Sequence, residues 1–120
     1  MSKVLKGVKN EITLQVTANV MDDMGKETPV KFKLTFKRIP DRKKVKEVVD
    51  SVAHGENDDL SVIQEYLLGW SGIEFDDGTP VEFNDENLEM VMTDRDYARA
   101  IVDGFGKVQL GYKALQAKNS

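Results

Sequence analysis

Residues 67–88 read LLGWSGIEFDDGTPVEFNDENL, and this stretch carries the clearest structural signals in the chain. It holds the only tryptophan, Trp70, and its residue types predict a helix end, an exposed turn and then a helix start. Gly69 and Gly72 can supply the positive φ that commonly follows a helix. Asp76-Asp77-Gly78 is typical of a tight turn, with Gly78 in a left-handed conformation.

Features on both sides of this turn tie it to a folded core. Asn84 is a predicted N-cap, and Asp85 and Glu86 follow in the first helical turn, where the helix dipole favours acidic side chains. Large apolar side chains around a polar tip indicate an anchored loop rather than a flexible linker. These side chains are Trp70, Ile73, Phe75, Val81 and Phe83.

Length and composition are typical of a small soluble domain. We predict one domain over residues 1–120, which is long enough to fold without a disulfide and contains no Cys. The first residues lack the apolar core of a signal peptide, and no apolar run approaches the ~20 residues of a membrane helix. We therefore expect a soluble protein in the cytoplasm of the cell that makes it, with no membrane partner.

The net charge of −4 conceals a strong asymmetry along the chain. Residues 1–47 carry 12 basic and 6 acidic side chains, residues 48–94 carry 13 acidic and no basic ones, and residues 95–120 carry 5 basic and 2 acidic ones. Solubility, with attraction between the parts of the chain, explains this pattern without a partner. One alternative is an acidic face that docks a basic partner segment. Another is nucleic-acid binding by the basic part, although the adjoining acidic segment would repel phosphate.

Two alternating segments predict an N-terminal β-hairpin over about residues 11–38. Apolar side chains recur at every second position, and the short connection favours an antiparallel pair. Lys31, Lys33 and Lys37 would form a solvated stripe, which on an edge strand would also discourage unwanted strand pairing. The apolar positions are Ile12, Leu14, Val16, Ala18, Val20, Val30, Phe32, Leu34 and Phe36.

The second part of the chain, about residues 40–116, shows helical periodicity in four segments. The predicted fold class is α+β: an antiparallel β-hairpin followed by a bundle of about four helices, with a turn or hairpin excursion around residues 70–83. The helical segments are residues 41–53, Asp58 or Asp59 to about Leu68, residues 85–92, and a last helix that Thr93-Asp94-Arg95-Asp96 opens as a capping box.

The last helix has an apolar face of about five turns. Gly104, Gly106 and Gly111 interrupt it and are compatible with close packing, a bend or folding on binding. The helix is either an ordinary terminal helix on the core or a partner-binding helix. Its apolar face consists of Tyr97, Ile101, Phe105, Val108, Tyr112 and Leu115.

No combination of side chains predicts catalysis. His54 is the only histidine and suits a helix end, because no Cys or second His completes a metal site. A helix cap and a turn account for the acidic pairs Asp58-Asp59 and Asp76-Asp77, and Gly104-Phe105-Gly106 lacks the context of a phosphate loop. We predict a protein that is not an enzyme and that binds neither cofactor nor metal.

Four motifs in succession carry a resemblance to a known family. They are Phe36-Lys37-Arg38, Gly69-Trp70-Ser71-Gly72-Ile73, Asp77-Gly78-Thr79-Pro80-Val81-Glu82-Phe83 and Asn87-Leu88-Glu89-Met90-Val91. Their order, over roughly residues 12–115, resembles the small tail assembly chaperones that are encoded beside the tape-measure protein of long-tailed phages and prophages.

The resemblance implies a non-catalytic assembly factor. Such proteins bind the long tape-measure protein, keep it soluble in the host cytoplasm and help tail-tube subunits assemble around it, and they are absent from the mature virion. A monomer or weak homo-oligomer without affinity for nucleic acid is expected. Two other classes stay open: a structural minor tail or tube component, and a small prophage regulatory or nucleic-acid-binding protein. The hypothesised partner-binding residues are Trp70, Tyr97, Ile101, Phe105 and Tyr112.

Overall fold

The computed structural model describes residues 5–53 and 59–111, which form a three-stranded antiparallel sheet and four helices. This arrangement confirms the α+β class and the order of a β-hairpin followed by helices. In chain order the elements are β1 (Glu11–Met21), β2 (Glu27–Lys37), α1 (Arg42–Ala53), α2 (Asp59–Tyr66), β3 (Leu67–Ser71), α3 (Asp85–Thr93) and α4 (Arg95–Leu110).

The predicted hairpin is confirmed. β1 and β2 pair without interruption from Glu11 opposite Lys37 to Met21 opposite Glu27. The carboxylate of Asp22 closes the connecting loop by accepting two backbone hydrogen bonds of 2.9 Å from residues within the loop. The alternation of side chains therefore places one apolar face of the hairpin against the helices and one polar face in solvent.

The structure corrects the end of the second predicted helix. α2 stops at Tyr66, and the next five residues form β3, which pairs antiparallel with β2. Leu67 is buried opposite Phe36, so strand pairing overrides the helical pattern that suggested a helix to Leu68. Gly69 lies within this strand and has no positive φ, unlike Gly72. The sheet order is β1-β2-β3, which makes the lysine-bearing β2 the central strand rather than an edge.

The core lies between the apolar face of the sheet and the helices. α4 crosses β1 and β2, and the Phe105 ring contacts Phe36 edge-on at 5.8 Å and Tyr66 at 5.7 Å between centroids. α1 presents the predicted valine stripe, with Val45 buried and Val48 partly buried. The largest fully buried side chains are Phe36, Phe105, Leu34, Ile63, Leu88 and Ile101.

The ends of α4 differ from the predicted ones. Asp94 is the N-cap, because its Oδ1 accepts hydrogen bonds of 2.9 Å from the backbone N–H groups of Asp96 and Tyr97. Thr93 instead ends α3, where its hydroxyl donates to a carbonyl of the preceding turn. The described helix ends at Leu110, and Gly111 follows with a φ of 87°. The predicted continuation through Tyr112 to Leu115, like His54, lies outside the described residues.

Gly104 lets α4 approach the sheet closely. A Cβ at this position would lie 3.1 Å from Cγ1 of Val16 and 3.3 Å from Cδ1 of Leu34. Both distances are shorter than normal van der Waals contact between carbon atoms. Of the three explanations that the sequence left open for this glycine, close packing is the one that the structure supports.

Replacing Gly104 with Val should therefore destabilise the fold, although glycine is a poor helix former. We expect the free energy of unfolding to fall by about 1–3 kcal/mol, because the added methyl groups overpack the space beside Val16 and Leu34. Urea denaturation of the two proteins measures the difference. Asp103→Val is the matched control, since it places the same β-branched side chain at an exposed position of α4. Equal stability losses in both variants would contradict the packing explanation.

Candidate protein-binding groove

Trp70 fixes the excursion that follows β3. Its indole Nε1–H donates a 2.8 Å hydrogen bond to the carbonyl of Val81, and its ring meets that of Phe83 edge-on, with centroids 4.9 Å apart. The side chain is partly buried, and its contacts with Val81 and Phe83 join the two ends of the excursion. This arrangement is typical of a tryptophan that satisfies its only donor inside the fold.

The excursion itself is a small hairpin with a tight polar tip. Val81 donates from its backbone N–H to the carbonyl of Ile73, and Phe75 donates likewise to that of Thr79. Gly78 has a φ of 86°, as the turn residues predicted. The Asp77 carboxylate accepts from the Thr79 backbone N–H at 2.9 Å, and hydrogen bonds with Thr79 lower the pKa of Asp77. These hydrogen bonds stabilise the observed conformation of the tip.

The next segment positions α3 beside this hairpin. Asn84 is the N-cap, because its Oδ1 accepts a 2.8 Å hydrogen bond from the backbone N–H of Asn87. The side chain of Asn87 donates in turn to the carbonyl of Glu82. The predicted cap is therefore confirmed, and it fixes the start of α3 relative to the strand-like residues that precede it.

A groove of about 190 Å³ opens between the hairpin, α3 and the first turn of α4. Two large apolar side chains on its walls are unusually exposed, Phe75 at 46% and Met90 at 45%. Tyr97, which stacks on Phe32 with ring centroids 5.5 Å apart, forms the third wall. The floor is buried and apolar and consists of Ile73, Val81 and Val91.

The rim of this groove is acidic. Glu74 and Asp94 line it directly. Burial raises the pKa of the Tyr97 hydroxyl, and the negative charges of Asp94, Asp76 and Glu74 raise it further. Three carboxylates therefore act on one side chain of the groove. All three belong to residues 48–94, the segment that contains no Lys or Arg.

This combination favours binding of a protein side chain over chemistry on a small molecule. The groove is smaller than the roughly 300–1,000 Å³ of typical small-molecule pockets. Its apolar walls suit one bulky aliphatic or aromatic group, and its rim suits neighbouring Lys or Arg side chains. Within the described residues, no group of His, Cys, Asp and Glu side chains is arranged to hold a metal ion.

A second, larger cleft of about 450 Å³ lies where β2 meets α1 and α2. Lys37, Arg38 and Lys44 line it together with the acidic Asp41 and Glu65. The Lys37 ammonium lies 5.8 Å from the centroid of the buried Tyr66 ring, a weak cation–π contact. Because side chains of both charges line this cleft, it shows no preference for one class of ligand.

The five predicted partner-binding residues fall in different environments. Tyr97 lines the groove. Trp70 is not among the lining residues; it is partly buried and donates a hydrogen bond to the carbonyl of the floor residue Val81. Ile101 and Phe105 are 0% and 2% exposed and belong to the core, so they present no surface to a partner in this conformation. Tyr112 lies outside the described residues.

Sequence reasoning did not assign Phe75 and Met90 to a binding surface. Met90 could have been found, because it lies about 200° around the helix from the inward-facing Leu88. Phe75 lies two residues after the buried Ile73, and such residues share one face of an extended segment. Alternation alone therefore suggested that Phe75 faces the core. Its exposure results from the tight turn that begins at Phe75 itself.

No family model, curated protein or solved structure matches this chain. None of the helices in the described ranges combines the length and apolarity that crossing a bilayer would require.

Proposed function

We propose that this protein is a tail assembly chaperone of a phage or prophage, which binds an amphipathic segment of the tape-measure protein and keeps it soluble. The observation that carries the proposal is the groove, in which Phe75 and Met90 stand exposed inside an acidic rim. Exposed apolar side chains grouped in a concave, charged surface are typical of protein-binding sites. The protein acts in the host cytoplasm and leaves before the virion is complete.

The chemistry of the groove suits such a partner. A long helical protein self-associates through its apolar stripes unless another surface covers them, and grooves take amphipathic helices through a few apolar anchors. The carboxylates of Glu74, Asp76 and Asp94 would attract basic side chains that flank the anchor. The partner segment is therefore a bulky apolar residue with Lys or Arg nearby.

The motifs that carry the family resemblance also build this groove. The buried floor residue Ile73 ends the Gly-Trp-Ser-Gly-Ile motif, Val81 belongs to the turn motif, and Val91 ends the motif of α3. Motifs that are separate in sequence thus supply adjacent parts of one surface. This convergence supports a shared role for them in presenting the groove.

Co-expression with the tape-measure protein from the same genome tests the proposed function. We expect the tape-measure protein to be soluble and to co-purify with the chaperone, whereas alone it aggregates. Absence of a complex, with the protein found in purified particles, would instead identify a structural tail component. Salt-dependent retention on DNA without a complex would identify a nucleic-acid-binding protein.

Removing the exposed ring of the groove should weaken binding without unfolding the protein. In Phe75→Ser we expect complex formation with the tape-measure protein to weaken at least tenfold, since this ring is an apolar anchor point. The free energy of unfolding should change by less than about 1 kcal/mol, because about half of the side chain is already exposed to solvent. Titration with a soluble fragment of the tape-measure protein measures binding, and urea denaturation of the chaperone measures its stability.

Two control variants separate the groove from exposed apolar surface in general. Leu68→Ser removes a side chain of similar exposure, 42%, from β3 and should leave binding unchanged. Glu74→Gln combined with Asp76→Asn neutralises part of the rim and should slow association and reduce its dependence on salt. Equal loss of binding in the Phe75 and Leu68 variants would show that the groove is not the binding site.

A further inference from the structure

β1 is an edge strand without the features that usually protect an edge. It is 11 residues long, and its pairing with β2 has no bulge. Glu11 is its only charged residue, and it contains no Pro. Natural sheets commonly block an exposed edge with lysines, prolines, bulges or short strands. Here the lysines and Pro29 lie on the central strand β2, and the opposite edge, β3, has five residues and an irregular register.

The hydrogen-bonding pattern shows which backbone groups face outward. Arg38 donates to the Asn10 carbonyl, and Asp22 donates to the Lys26 carbonyl, so even-numbered residues of β1 bond to β2. The odd-numbered residues therefore direct their N–H and C=O groups away from the sheet. Among these outward N–H groups, only that of Met21 has a partner within the described residues, an Asp96 carboxylate oxygen at 3.3 Å.

We propose that the outer edge of β1 pairs antiparallel with β1 of a second copy of this chain, which joins two three-stranded sheets into one. This inference does not depend on the proposed function. Strand addition at an open edge satisfies the outward backbone groups of both partners at once. A two-fold axis relates the copies, so the same surface serves on each side.

The sequence of β1 makes a second copy the fitting occupant. With the two-fold axis at Val16, Gln15 lies opposite the partner copy's Thr17, and Thr13 lies opposite its Asn19, so no like charges meet. On the apolar face, Leu14 lies opposite the small Ala18. Antiparallel pairing in this register keeps the apolar faces of both copies on one side of the sheet and the polar faces on the other.

Hydrogen exchange and molar mass on the full chain test the pairing. We expect the mass in sedimentation equilibrium to rise with concentration from 13.5 kDa towards twice that value. Over the same range, the amide hydrogens of Thr13, Gln15, Thr17 and Asn19 should gain protection. A monomer at every concentration would overturn the proposal. So would protection of these amides that does not depend on concentration, because the occupant would then be part of the same chain.

Two double variants of opposite charge distinguish this edge from other surfaces through which the protein could self-associate. Gln15→Glu with Thr17→Glu places carboxylates beside Lys33 and Lys31 within one chain, which favours the hairpin, but it opposes like charges across the two-fold axis. We expect the dimer Kd to rise about tenfold. Mixing this variant with Gln15→Lys/Thr17→Lys should restore a dimer of one copy of each. An unchanged Kd in the acidic variant would overturn the proposal.

Discussion

Phe105→Ala should lower the free energy of unfolding by about 3–5 kcal/mol, a large part of the stability of a small domain. The Phe105 ring is 2% exposed and contacts the rings of Phe36 and Tyr66. Alanine would leave a cavity between α4, β2 and α2, because the elements around it are held by their own contacts and close it only in part. Urea or guanidinium denaturation measures this loss, provided that the parent protein and the variant unfold with the same dependence of free energy on denaturant concentration.

The same substitution at Phe75 is the control for this prediction. Phe75→Ala removes an identical ring from a 46% exposed position, and we expect a change of less than about 1 kcal/mol. The two variants also decide between a core role and a partner role for the apolar face of α4. If Phe105→Ala kept full stability and lost only its binding to the tape-measure protein, α4 would be a binding element rather than part of the core.

The hairpin and the capped start of α3 could be predicted from sequence because local rules determine them. The alternation in β1 and β2 determines which face of each strand is buried, since a one-residue slip would turn the apolar side chains to solvent. Gly78 and Asn84 adopt the conformations that their residue types favour. Such features need no knowledge of what packs against them. The α+β class follows from them directly.

β3 and the groove could not be predicted because distant contacts decide them. Leu67 continues a helical pattern locally, and only the pairing with Phe36 in β2 converts the segment to a strand. The exposure of Phe75 depends on how α3 and α4 are placed beside the turn. Periodicity shows which residues of α4 share a face, yet it does not show whether that face contacts the core or a partner.

A buried amide side chain ties the end of α4 to the end of β2, and its removal should be the second large effect. Gln109 is 5% exposed. Its Oε1 accepts a 2.8 Å hydrogen bond from the buried N–H of Ile39, and its Nε2 donates at 2.9 Å to the carbonyl of Lys37. The side chain thereby extends the hydrogen bonding of β2 past its last residue. Its polarity gave no sign of this role in the sequence.

Gln109→Met keeps the length of the side chain but removes both hydrogen bonds. We expect a loss of about 2–4 kcal/mol, because the Ile39 N–H stays buried without a partner and the Lys37 carbonyl also loses its donor. Denaturation in urea measures the loss. Gln64→Met changes an exposed glutamine of α2 in the same way and should cost little. Similar losses in both variants would contradict the role of Gln109.

In Gln109→Glu, the hydrogen bond that position 109 donates to the Lys37 carbonyl should depend on pH. A protonated carboxyl can accept from Ile39 and donate to Lys37, whereas an ionised one is a buried charge that cannot donate. The folded pKa of this carboxyl should therefore lie above its ordinary value. The Gln109→Glu variant should be about as stable as the parent protein at pH values below the ordinary carboxyl pKa. Its free energy of unfolding should fall as the pH rises through the raised pKa, because the folded state binds more protons than the unfolded state.

The difference in unfolding free energy between Gln109→Glu and the parent protein, measured at several pH values, isolates this effect. The chain has 21 other acidic side chains, and their titration is common to both proteins and cancels in the difference. A difference that grows from acid to neutral pH would show that the folded state disfavours an ionised side chain at position 109, both because its charge is buried and because it cannot donate to Lys37. A difference that is constant across this range would contradict both the burial of the side chain at position 109 and its hydrogen bond to Lys37.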